Sequence, residues 1–122
     1  MKQKTAILWF SVVSVILVVL GLVFMIFGLG ILPVPEDVLL DWETALYGAI
    51  MVGWGVTLFM VGRIALRRND LELKKALWVG VLVWLIGEAF FSAKLGVWFN
   101  VGVDAGVLVL FSIPLLQKLR SK

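Results

Sequence analysis

Apolar residues along this chain come in four long runs set apart by short polar punctuation. The runs cover about Ala6 to Leu32, Trp42 to Leu66, Ala76 to Leu95 and Val97 to Leu116. Each matches the roughly twenty residues that a helix needs to cross the ~30 Å hydrocarbon core of a bilayer. In hydrocarbon an unpaired backbone group is too costly to leave open, so only helices and closed barrels span membranes, and these runs are too long and continuous for barrel strands. The pattern predicts an all-α fold: an integral membrane four-helix bundle, antiparallel and up-down, in one membrane domain over residues 1–122, with helices about 6–32, 42–66, 76–95 and 97–116.

The punctuation agrees with that division. "PVPEDVLLDWE" follows the first run, and Pro33 and Pro35 stop a helix because proline lacks the N–H and disfavours helix in the residue before it. "RRNDLELKK" closes the second run, and Gly96 separates the third from the fourth. Lys2 and Lys4 ahead of an apolar stretch resemble a signal peptide, but the stretch is too long for its core and lacks a small-residue cleavage pattern, so it is read as a span.

Composition sharpens the picture. Of 122 residues 62% are hydrophobic and 16% charged, far from the balance of a soluble domain, and the length allows one compact bundle. The chain has no cysteine, so disulfides, thiol nucleophiles and thiolate metal sites are excluded, and no histidine, which removes the usual haem ligand and the near-neutral proton shuttle. No metal site is expected, and the residues indicate no particular cofactor. The net charge of +3 does not point to nucleic acid, because the basic residues lie at segment ends where membrane topology places them.

Those charges orient the bundle. Lys2 and Lys4, the loop with Arg63, Arg67, Arg68, Lys74 and Lys75, and the tail with Lys118, Arg120 and Lys122 share one side. The first loop carries Glu36, Asp37, Asp41 and Glu43 with no Lys or Arg. By the positive-inside rule both termini are expected to be cytoplasmic, in a multi-pass protein of the cell membrane. Trp9, Trp42, Trp78 and Trp98 fall near span ends, where amphipathic rings prefer to sit.

One stretch runs against this apolar background. "LIGEAFFSAKLGVWFNVGVDAG", Leu85 to Gly106, carries Glu88, Ser92, Lys94, Asn100 and Asp104. If the third and fourth helices reverse tightly at Gly96, residues equally far from that glycine lie at equal depth. Ser92 and Asn100 are each four residues away and Glu88 and Asp104 each eight, and on each helix the i, i+4 spacing stacks the polar pair on one face. At 1.5 Å per residue the carboxyls would sit roughly 10 Å below the outer surface. Gly80 and Trp84 continue the Glu88 face inward, Gly102 and Gly106 bracket Asp104 in a G-x-x-x-G spacing that permits close helix approach, and Glu43 and Tyr47 on the second helix reach a similar depth. The expected site is an outward-opening acidic pocket. In it Glu88 and Asp104 are the candidate acid–base pair, and Tyr47, Trp84, Ser92, Asn100, Lys94 and Glu43 the candidate ligand-binding residues.

Ionisable groups in membrane segments mark functional sites often enough to favour that reading, although the same ladder serves equally as interhelical glue. Two carboxylates facing each other in a poorly hydrated site cannot both ionise cheaply, so the pair is expected to share a proton. Lys94 reads first as an interface residue reaching toward water and second as a counter-ion; Tyr47 reads first as an interfacial anchor and second as a proton donor. The Arg63 to Lys75 cluster reads as topological, with an anionic lipid of the inner leaflet as its other use. Gly48, Gly53, Gly55 and Gly62 form a packing seam and, with no Lys-Ser/Thr after them, no phosphate loop.

"GLGILP" closing the first helix, "YGAIMVGWGV" in the second, and a third helix that ends in an acid and a serine give a layout that resembles small four-helix membrane proteins of the DoxX-like group. The resemblance implies the four-helix architecture. Members of that group have varied roles, one as a subunit of a quinone-linked oxidoreductase, and no catalytic motif carries over.

The expected function is binding of a lipophilic or cationic small molecule, or a lipid, in the acidic pocket, with acid–base chemistry open to the two carboxyls. Two other classes stand beside it: a proton- or cation-coupled transporter acting as an oligomer, and an accessory subunit of a larger membrane redox complex. Assembly as a homo-oligomer is compatible with the glycine pattern.

Overall fold

The computed structural model describes residues 19 and 22–117, all in helices and short turns. The expected first span lies mostly outside the described residues. They fall into two compact units divided between Ile50 and Met51, which are taken in turn.

In the first unit, residues 22–27 are helical and the helix stops at Gly28, whose φ of 74° lies in the left-handed region that glycine enters without steric cost. The Gly28 N–H closes the end by donating to the Phe24 carbonyl at 2.8 Å. A short 3₁₀ turn, Leu29–Ile31, follows, and Leu32 is extended (φ −85°, ψ 154°), as a residue ahead of proline prefers. The helical stretch thus ends five residues before Leu32, the expected boundary.

Helix α1, Glu36–Arg68, begins directly after Pro35. Its start precedes the apolar run at Trp42 by six residues, because Glu36 and Asp37 in the first turn complement the positive end of the helix dipole and keep a polar segment helical. Arg67 and Arg68 in the last turn complement the other end.

The second unit holds the rest of α1 together with α2, Leu71–Lys94, and α3, Trp98–Leu116. Asn69, at φ 48°, turns the chain after α1, and Asp70 caps α2 by accepting from the Leu73 N–H at 3.0 Å. Between α2 and α3, Gly96 takes φ 79°. Gly96 N–H donates to the Ala93 carbonyl at 3.2 Å and Val97 N–H to the Ser92 carbonyl at 2.7 Å, the paired closure of a Schellman motif. That closure makes α2 and α3 a tight antiparallel hairpin.

Leu77, Val81 and Leu85, one turn apart on α2, form the core with Leu58 and Ala65 of α1 and Leu115 of α3. Gly80 lets α1 approach: a Cβ there would lie 3.3 Å from the Trp54 ring. Elsewhere the helices turn large apolar side chains outward, Phe99 at 77% exposure and Leu110 at 70% among them, while Asp104 at 4% and Lys74 at 1% are buried. All three helices are long and apolar enough to cross a membrane.

Candidate functional site

The hairpin brings the polar residues of its two helices into one connected ladder. Nearest the turn, Asn100 Nδ2 donates to Ser92 Oγ at 2.9 Å. The same amide nitrogen, with its second proton, donates to Asp104 Oδ2 at 3.2 Å one turn further along α3. The Asp104 carboxyl lies against that of Glu88 across the helix pair. Trp84 Nε1 closes the far end by donating to Glu88 Oε1 at 2.7 Å. Each link follows from the i, i+4 spacing along one helix or from the equal spacing about Gly96 between the two.

Burial grades the ladder. Asp104 is enclosed, whereas Glu88, Ser92, Asn100 and Trp84 are half-buried. A carboxyl removed from water needs hydrogen-bond donors, and Asp104 has the Asn100 amide for that purpose. For two carboxyl groups to bond to each other, one must contribute a proton. The arrangement is therefore equipped to hold a proton between two oxygens or to exchange it for a cation, with the Trp84 indole as an apolar wall that also fixes Glu88.

Five of the expected site residues thus meet: Glu88, Asp104, Ser92, Asn100 and Trp84. Lys94 does not join them. It is exposed at the end of α2, and its amine lies over the Phe91 ring, 5.9 Å from the centroid. Glu43 and Tyr47 lie in the first unit, where they line a cleft of about 480 Å³ with Phe24, Met25 and Leu46.

Other polar groups lie beyond the ladder. Trp78 Nε1 donates to Ser112 Oγ at 2.9 Å, and Trp54, whose six-membered ring packs against Gly80, buries its indole N–H with no acceptor among the described residues. Lys74, which reads in the sequence as a loop charge, is enclosed and donates to Asn69 Oδ1 at 3.2 Å and to the Gln117 carbonyl at 2.9 Å, tying the α1–α2 turn to the end of α3. The signal for Trp78 and Ser112 was present, since the two are nearly equidistant from Gly96.

No protein-family model, no curated protein and no solved structure matches this chain, so the functional reading stands on the geometry of the hairpin.

Proposed function

We propose that this chain is a multi-pass integral membrane protein of the cell membrane whose Glu88–Asp104 pair forms a site for a lipophilic cation or a transferable proton. Support for the membrane comes from inside-out burial. Fully burying a large apolar side chain from water is worth about 1.5–3 kcal/mol, yet Phe99, Leu110 and Leu40 stand more than two-thirds exposed while a lysine and an aspartate are enclosed. Hydroxyls behave accordingly: Thr44 and Thr57 donate to the carbonyls of Leu40 and Gly53 on their own helix at 2.8 and 2.9 Å. A four-helix up-down bundle with both termini cytoplasmic accommodates these helices, and the DoxX-like layout agrees with it.

The observation that carries the site is the direct contact of two carboxyls inside an apolar helix pair. Ionisable groups in such a setting pair with one another and mark ion or substrate positions. A cationic ligand with an apolar body would replace the shared proton, its charge held by Glu88 and Asp104 and its body against Trp84. The test is saturable binding of tetraphenylphosphonium to the full chain in phosphatidylcholine nanodiscs. Binding should disappear in Glu88→Gln and Asp104→Asn and persist in Lys94→Gln. Equal, unsaturable uptake by all four proteins would reduce the pair to helix glue.

A second reading has its own observation behind it. Every polar member of the ladder finds a partner within the hairpin, as interhelical glue in an accessory subunit of a larger membrane complex would. Under that reading the Glu88 and Asp104 variants lose hairpin stability and nothing else.

A further inference from the structure

At the arginine-rich end of the second unit, away from the acid pair, α1 and α3 part to leave a cleft of about 170 Å³. Its walls are Gly62 and Leu66 of α1, Leu77 of α2, and Phe111 and Pro114 of α3, and the one charged residue on it is Arg63. A space of this size in an apolar wall accepts a benzene ring, and so several carbons of an acyl chain. Gly62 keeps it open, since a Cβ there would meet nothing within 4 Å.

The arginine shows what belongs at the mouth. Among the described residues, the Arg63 guanidinium has one recorded partner, the Phe59 ring, 5.1 Å away at its centroid. A ring takes one face of the guanidinium and leaves its edge, the fork of N–H donors that matches a phosphate, without an acceptor. Arg67 stands four residues on, a like-charge i, i+4 pair that costs a few tenths of a kcal/mol unless an anion lies near, and no ion pair is recorded for it among the described residues. An anionic group with an apolar tail satisfies the cleft and both arginines at once.

We propose that this cleft binds one anionic phospholipid, its phosphate on Arg63 with Arg67 beside it and one acyl chain between α1 and α3. The inference rests on the membrane reading above but not on the acid pair. Walls made of leucine, phenylalanine and proline reject a free, hydrated phosphate, and a zwitterionic lipid brings a cation to a site already rich in them.

Native mass spectrometry of the full chain, released from detergent in equimolar phosphatidylglycerol and phosphatidylcholine of identical chains, tests it. The wild-type protein should retain phosphatidylglycerol about fivefold over phosphatidylcholine, the factor that one basic residue is worth toward an anionic lipid. Arg63→Gln should lose the preference, Arg63→Lys should keep part of it, and Arg68→Gln should leave it intact. Gly62→Leu, which fills the cleft with the charges unchanged, should lose retention as well. Equal retention of both lipids by the wild type, an unaltered preference in Arg63→Gln or Gly62→Leu, or displacement of the lipid by glycerol phosphate would each overturn the proposal. Failure of the membrane reading shows itself differently, as a chain that stays monodisperse in buffer without detergent.

Discussion

Ser92 and Asn100, each four residues from Gly96 on opposite helices, are joined by a hydrogen bond of 2.9 Å. The bond helps set the register of the α2–α3 hairpin, and the contacts further out, Trp78 with Ser112 and Lys74 with Gln117, stay within two residues of it. Cysteines at positions 92 and 100 should therefore form a disulfide within one chain under mild oxidation, read as a monomer that shifts on reduction in a gel. Crosslinking that appears only between chains would mean that the hairpin is swapped.

The Asn100 amide links Ser92 to Asp104, so its loss breaks the ladder in the middle. Interhelical hydrogen bonds in membrane proteins average about 0.6 kcal/mol and reach about 1.7. Asn100→Leu should lower unfolding free energy in detergent by about 1 kcal/mol, against little change in Phe99→Leu at the exposed neighbouring position. Equal stability of the two variants would show that the ladder does not hold the hairpin.

Gly80 and Gly102 make a contrasting pair. A Cβ at Gly80 would come within 3.3 Å of Trp54, whereas one at Gly102 meets nothing within 4 Å. Overpacking costs about 1–3 kcal/mol, so Gly80→Leu should destabilise the unit by that amount and shift tryptophan fluorescence, while Gly102→Leu leaves a single chain unchanged. Destabilisation by Gly102→Leu, accompanied by a smaller particle in size-exclusion chromatography, would instead reveal a second copy packed on that glycine.

The hairpin and its ladder were legible in the sequence because both follow from arithmetic: i, i+4 on each helix and equal distance from one glycine. The start of α1 was not, because hydropathy ends where the chain turns polar, but acidic residues favour a helix N-terminus and the helix runs back to Glu36. Lys74 was misread for a related reason. A lysine among loop charges reads as solvated, and its burial depends on the Gln117 carbonyl arriving from 43 residues away. Lys94 reads in the sequence first as an interface residue reaching toward water, and its exposed amine over the Phe91 ring agrees with that first reading.

Topology gives a prediction independent of the site. The acidic start of α1 and the arginine-rich end lie at opposite ends of a helix of 33 residues, about 50 Å, which exceeds the ~30 Å hydrocarbon core. Single cysteines replacing Asp37 and Asn69 should label from opposite faces of intact cells, with an impermeant maleimide reaching position 37 and position 69 reacting only after lysis. The reverse pattern would invert the proposed orientation.

The contact between Glu88 and Asp104 makes the most specific demand. Two carboxyls placed against each other in an apolar setting cannot both ionise cheaply, and under the proposed reading they hold one proton between them. Infrared difference spectra taken across pH should show the C=O stretch of a protonated carboxyl, absent in both Glu88→Gln and Asp104→Asn and displaced when tetraphenylphosphonium binds. Trp84→Phe should move that band without removing it, because the indole N–H bonds one Glu88 oxygen at 2.7 Å and tunes the carboxyl it touches. A wild-type spectrum holding only ionised carboxylate bands would exclude the shared proton, and the two carboxyls would then need a bound cation to lie as close as they do.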